Sequence, residues 1–236
     1  RDILGENHAD TAHSYNNIGV VYQIQGKYDL ALEFYNKALE IRRNILGENH
    51  VDTAHSYNNI GEVYNSQSKY DLALEFYNKV LEIRRDILGE YHADTAHSYN
   101  DIGFVYHDQG YYDLAIEFYN KALEIRKNIF DENHTDTAIS YNNIGCGYAD
   151  QGNYDLALEF HNKALEIRRN ILGENHTDTA RSYYHIGRVY SNQGKYDLAL
   201  EFFYKAYNIY VNIFGENHSK TLNTKKLINE IKQLKL

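Results

Sequence analysis

Apolar and small residues recur along the chain at three- and four-residue spacing, interrupted at regular points by glycine. Tyr15, Ile18, Gly19 and Tyr22 form one stripe; Ala31, Tyr35 and Ala38 form another. That spacing belongs to one face of an α-helix. The first stripe predicts a helix A over residues 11–25, with Asp10 as its N-cap and Gly26 as its stop. The second predicts a helix B over residues 29–46, ended by a left-handed cap at Gly47. Arg42 and Arg43 fall in its last turn, where the helix dipole favours cations. Gly19, set opposite Ala31 and Ala38, lets the two helices approach, and the tyrosines fill the space around them. Val21, Leu39 and Ile45 are left to pack on neighbouring units. Glu33 and Lys37, repeated as Glu75 and Lys79, make an i,i+4 pair on a solvated face.

The same helix pair returns every 42 residues. HSYNNIG stands at 13–19 and 55–61, HSYNDIG at 97–103, ISYNNIG at 139–145 and RSYYHIG at 181–187. Each pair carries more apolar surface than it can bury alone, so the units must stack. The repeats run over 10–51, 52–93, 94–135, 136–177 and 178–218. Residues 1–9 read as the remnant of a preceding repeat, because residues 1–4 match 85–88. Residues 219–236 read as a capping helix. Lys225, Asn229 and Lys232 replace the partner-facing Tyr15, Gly19 and Tyr22, while Leu222, Leu227, Ile228, Ile231 and Leu234 stay apolar.

The pattern Tyr15, Ile18-Gly19, Tyr22, Gly26, Tyr28, Ala31, Tyr35, Ala38 resembles the tetratricopeptide repeat signature, five times in register. The period departs from the usual length of about 34. Arg43 and a Gly-Glu-Asn-His stretch stand where a proline commonly ends helix B. These departures resemble the longer repeats of kinesin light chains, whose loops carry a similar His-x-Asp-x-Ala form. His8-Ala9-Asp10-Thr11-Ala12 and Tyr15-Asn16-Asn17-Ile18 match it. The resemblance implies an all-α fold, a right-handed superhelical α-solenoid of helix-turn-helix repeats with a C-terminal capping helix. It also implies a non-catalytic protein–protein interaction scaffold.

The resemblance places a further helix A stripe, His13, Asn16, Val20 and Gln23, on a concave inner surface. Its first position runs His13, His55, His97, Ile139, Arg181, and its third Val20, Glu62, Phe104, Cys146, Arg188. Its second position is nearly constant: Asn16, Asn58, Asn100, Asn142, then Tyr184. An asparagine amide donates and accepts at once. A ladder of them suits the backbone of an extended peptide, and kinesin light chains are similar in using such asparagines on cargo peptides. The varying positions would then supply selectivity, with Arg181 and Arg188 favouring an acidic segment near repeat 5 and Phe104 and Tyr184 accepting an apolar side chain. Duplication of near-identical units accounts for the ladder equally. Asn17 and its equivalents Asn59, Asp101, Asn143 and His185 are read as bridges between adjacent A helices. The alternative function is a structural spacer or a self-association module that assembles through the repeat ends.

Composition narrows the remaining classes. The chain has 236 residues, 43% of them hydrophobic, and a net charge of −9. An acidic balance disfavours nucleic acid and anionic membrane surfaces. No apolar run approaches the roughly 20 residues of a membrane span. A single cysteine, Cys146, excludes an internal disulfide framework and suits a reducing compartment such as the cytoplasm. No metal and no cofactor are expected. His8, His50, His92, His134, His176 and His218 occur once per repeat and read as structural hydrogen-bonding groups. Cys146 with His185 lacks a readable oxyanion hole, so catalysis is not expected. The pairs Arg42-Arg43, Arg84-Arg85, Arg126-Lys127 and Arg168-Arg169 read as solvated helix ends rather than a nucleic-acid track.

Overall fold

A computed structural model describes residues 8–234. The remnant assigned to residues 1–9 therefore lies almost wholly outside the described residues. Those residues form eleven α-helices and no strand. The chain divides into two compact units, Arg1–Tyr111 and Tyr112–Leu236. The first holds α1 (Ala9–Ile24), α2 (Tyr28–Leu46), α3 (Val51–Ser66), α4 (Tyr70–Leu88) and α5 (Ala93–Asp108). The second holds α6 (Tyr112–Ile129), α7 (Thr135–Asp150), α8 (Tyr154–Leu172), α9 (Thr177–Asn192), α10 (Tyr196–Phe214) and α11 (Ser219–Leu234). Within each unit every helix packs on the next in sequence, as stacked helix pairs of an α-solenoid do. The division falls between the A and B helices of the third repeat. No described helix is long and apolar enough to cross a membrane.

The core lies where the periodicity puts it. Ala31, Tyr35, Ala54, Tyr57, Ile60 and Val63 are buried in the first unit, and Ala180, Tyr183, Ile186 and Ala206 in the second. The close approach within a pair is Gly against Tyr, rather than Gly against Ala as its spacing suggested. A Cβ on Gly61 would lie 3.0 Å from the Tyr77 ring. Helix A also packs on the preceding helix B. At Gly147, in register with Val21 and Val63, a Cβ would meet Ile116 of α6 at 2.7 Å. Ile45 is not a packing residue: it and its equivalents Ile87, Ile171 and Ile213 are exposed. In the last repeat α11 covers α10, with Ile228 and Ile231 buried against Phe203.

The helix starts correct the assignment of Asp10, Asp52, Asp94, Asp136 and Asp178 as N-caps. The cap is the histidine two residues earlier. In each A helix the His Nδ1 accepts from the Asp backbone N–H at 3.1 Å. This satisfies a first-turn donor, the service a Ser or Asp side chain usually performs. The loop histidines are thus structural, as their one-per-repeat spacing implied. Each loop is tied again by a buried threonine: Thr53 Oγ1 donates to the Gly47 carbonyl at 2.8 Å, and Thr95, Thr137, Thr179 and Thr221 repeat the bond. Gly47 does stop α2 at positive φ, but its φ of 89° and ψ of 171° are not those of the left-handed helix. Asp131 takes the same role at φ 100°, and its carboxylate accepts from the Asn133 N–H at 2.6 Å.

A second correction concerns the arginine pairs. Only the outer member of each is solvated: Arg43 pairs with Glu48 at 2.5 Å, and Arg85 with Glu90 and Arg169 with Glu174 at 2.6 Å. The inner member is buried in three of four repeats, as Arg84, Arg126 and Arg168. Its Nη1 donates to the serine 14 residues on, Ser56, Ser98, Ser140 or Ser182, at 2.6–2.8 Å. At Arg42, Arg84 and Arg168 it also reaches the first-turn carbonyl of Asp52, Asp94 or Asp178. Each such arginine therefore fastens helix B to the start of the next helix A. After α10 the pair becomes Tyr210 and Thr224, both buried, and Thr224 Oγ1 donates to the Lys220 carbonyl instead.

Candidate functional site

The candidate site is the face that the A helices present away from their B helices. In the first unit, side-chain bonds run along it from one A helix to the next. Asn59 Nδ2 donates to Asn16 Oδ1 at 2.6 Å, Gln23 Nε2 to Glu62 Oε2 at 3.4 Å, and Asn65 Nδ2 to Asp108 Oδ2 at 3.1 Å. Tyr35, buried behind this row, donates its hydroxyl to Gln23 Oε1 at 2.6 Å. Asn59 thus bridges adjacent A helices, the role read for its position from sequence.

The ladder itself lies deeper than an open wall. Asn58, Asn100 and Asn142 are only 7, 4 and 6% exposed, whereas Asn16 is half-buried. Their amides are engaged inside the stack: Asn16 accepts from Asn59, and Asn58 Nδ2 donates to Glu62 Oε1 at 3.0 Å. The Oδ1 atoms of Asn58 and Asn142 are covered and unpartnered. A covered oxygen cannot accept from a ligand amide, so a two-handed peptide clamp along the whole ladder is not what this arrangement offers. The exposed members flank it: the constant His13, His55 and His97 on one side, and the varying Val20, Glu62 and Phe104 on the other. Burial and the Arg84 charge lower the pKa of His55, and neutral imidazole leaves it an acceptor as well as a donor.

In the second unit, Ile139 and Asn142 on α7 are followed by Arg181, Tyr184 and Arg188 on α9. Arg181 pairs with Asp178 at 3.0 Å, and Arg188 is exposed. Arg181 and Tyr184 border a cavity of about 190 Å³ with Tyr210, Lys220 and Thr224. Lys220 Nζ lies 5.5 Å from the Phe214 ring centroid and 6.0 Å from that of Tyr210. Two cations and two tyrosines around one recess suit a carboxylate with an apolar neighbour. Sequence reasoning found Arg181 and Tyr184 but missed Tyr210 and Lys220. The available signal was the replacement of the arginine by Tyr210 in the fifth repeat alone. It also missed His161, buried beside Cys146 and His185. A histidine where the other repeats carry Tyr or Phe was the signal there.

The tetratricopeptide repeat family model matches residues 1–44, 10–86, 52–128, 94–170, 136–210 and 178–228. No curated protein matches the sequence. Among solved structures, the nearly identical TPR-like repeats of a putative kinesin light chain from Podosopora anserina share 19% identity. They cover 88% of this chain and 98% of that one at a TM-score of 0.71. BtubC (BKLC) from P. vanneervenii shares 22%, covers 89% of this chain and 84% of that one, and has a TM-score of 0.73. The Rap conjugation gene regulator of the plasmid pLS20, solved in complex with the Phr* peptide, shares 16%. It covers 94% of this chain and 59% of that one at a TM-score of 0.75. At such identities the likeness is one of fold.

Proposed function

The chain belongs to the tetratricopeptide repeat family, and from that we propose that it is a non-catalytic interaction module whose A-helix face holds an extended peptide of a protein partner. One observation carries the reading: the third stripe position differs in every repeat and is exposed in four of five, as Val20, Glu62, Phe104 and Arg188, above a nearly invariant, mostly buried floor. A surface that only needed to stack would have no use for that variety. Of the floor asparagines, Asn16 bonds to the next A helix through Asn59, while Asn58 and Asn142 bond within their own helices. Contact falls to His13, Val20, His55, Glu62, His97 and Phe104 in the first unit. In the second it falls to Arg181, Tyr184 and Arg188, where an acidic segment of the ligand is expected. The Rap regulator of similar fold carries a bound peptide. The single-cysteine composition suits the cytoplasm.

The test is capture on an array of extended peptides, with and without acidic residues, by the intact chain and two variants. Phe104→Ala should weaken retention of apolar peptides, and Arg181→Ala with Arg188→Ala that of acidic ones, each by about tenfold or 1.4 kcal/mol. Equal capture by all three proteins rejects the reading.

A further inference from the structure

Three departures from the repeat pattern meet at one point of the second unit. The residue at 146 is Val20, Glu62, Phe104 and Arg188 in the other repeats; that at 161 is Tyr35, Tyr77, Tyr119 and Phe203; that at 185 is Asn17, Asn59, Asp101 and Asn143. In this one place they are Cys, His and His. The residues come from α7, α8 and α9, yet one ligand-type atom of each lies within 4.8 Å of the other two. Cys146 Sγ is 3.7 Å from His185 Nδ1. The imidazoles of His161 and His185 stack, centroids 5.3 Å apart and planes at 11°. All three border a cavity of about 10 Å³, roughly the room one water or ion occupies.

The cluster is poor as plain packing. His161 is 1% exposed, lines the cavity, and its Nδ1 has no hydrogen-bond partner. Burying a polar nitrogen unpaired is unfavourable, and the Tyr or Phe used in the other repeats avoids it. Burial keeps both rings in the form that ligates metals. Desolvation pushes His161 down to about 3, and His185, also repelled by His161 and the neighbouring arginines, lies well below the ordinary range. The same burial pushes the Cys146 thiol up to about 12.

We propose that Cys146, His161 and His185 bind one thiophilic divalent cation, with Zn²⁺ the best match to the donor set. A tetrahedral zinc with Zn–S of about 2.3 Å and Zn–N of about 2.0–2.1 Å has ligand–ligand edges of about 3.3–3.5 Å. The Cys146–His185 edge already approaches that; an edge at the 4.8 Å limit needs to close by about 1.3–1.5 Å, and the two imidazoles must turn out of their parallel stack to aim both nitrogens at the ion. Asp150 lies one turn after Cys146 on α7 and borders the same cavity, so a water that its carboxylate orients completes the set. Binding exchanges the S–H bond for a Zn–S bond and releases that proton to solvent; nothing is oxidised or reduced. Thiolate and carboxylate together offset the two charges of the ion beside Arg188. The ion would tie α7, α8 and α9 together across two repeats, and the site stands whether or not the peptide reading does.

The experiment uses the chain stripped with a chelator and titrated with Zn²⁺ by calorimetry and with Co²⁺ by absorption. The expected result is one equivalent of Zn²⁺, a raised thermal midpoint, and a thiolate-to-cobalt charge-transfer band. Cys146→Val, His161→Tyr and His185→Asn copy residues of the other repeats, so each should fold, which circular dichroism checks. Each should weaken binding by more than about tenfold, the least that even outer-shell changes cause. Absence of binding to the native chain overturns the proposal. So does binding that survives in all three variants, which would assign the ion to the exposed loop histidines. The cobalt band is read on the unmodified chain and stands without any variant.

Discussion

Replacing Arg84 by tyrosine tests whether the buried arginine and its serine act as one fastening. Arg84 is 2% exposed, and its Nη1 donates to Ser98 Oγ at 2.8 Å and to the Asp94 carbonyl at 3.2 Å. Bonds from a charged donor contribute about 1.5–3 kcal/mol each. Against them stands the cost of burying a guanidinium, several kcal/mol, and Arg84 Nε is buried without a partner. The net loss for Arg84→Tyr should then be about 1–3 kcal/mol. Ser98→Thr alone adds a methyl group to a filled space, at about 1–3 kcal/mol. The chain itself carries the double replacement at its last junction, as Tyr210 and Thr224, both buried and accommodated. The double variant should therefore lose less than the sum of the singles, by about 1–2 kcal/mol. Urea unfolding followed by helical ellipticity gives all four values, provided the m-values agree. Additivity within about 0.5 kcal/mol would refute a coupled Arg–Ser joint.

Two other outcomes are expected. Ser68 has φ of 57° where Gly26, Gly110, Gly152 and Gly194 have 70–81°. A side chain there costs about 1–2 kcal/mol, and glycine returns about 0.5–1 kcal/mol as unfolded-state entropy. Ser68→Gly should raise stability by about 0.5–1 kcal/mol, and a lowered urea midpoint would contradict it. His55 should titrate below 6.5, through partial desolvation first and the Arg84 charge second. On acidification the unfolded chain takes this proton before the folded one. The stability it contributes is thus whole above 6.5 and falls as pH drops below it. Proton NMR of the imidazole gives the midpoint, which should rise in Arg84→Tyr; an unmoved midpoint would discount the arginine's part.

Much of the fold was legible because its instructions are local and repeated. Spacings of three and four residues located both helices of each repeat to within two residues, and the 42-residue period fixed their number. The site was only half legible. The identity of the stripe 13, 16, 20 follows from helical geometry. Which of its members face solvent depends on how the next A helix packs, as where Asn59 of α3 bonds to Asn16 of α1. The aspartates were assigned as caps because their residue type caps helices more often. Histidine does the work because the loop turns its Nδ1 onto the amide two residues later.

The sequence by itself determined an all-helical, stacked architecture with varied side chains on one helical face, since periodicity and repetition are properties of a single strand of text. Tertiary structure decided what distance along the chain conceals. It placed a charged guanidinium inside, opposite a serine 14 residues away. It drew Asn58, Asn100 and Asn142 below the surface. It also brought Cys146 to His185, 39 residues further on, with His161 against both. Residue type predicts solvent exposure only when nothing else packs nearby. In a stack of repeats the deciding neighbour comes from the adjacent unit, whose side chains meet at distances that no one helix's pattern contains.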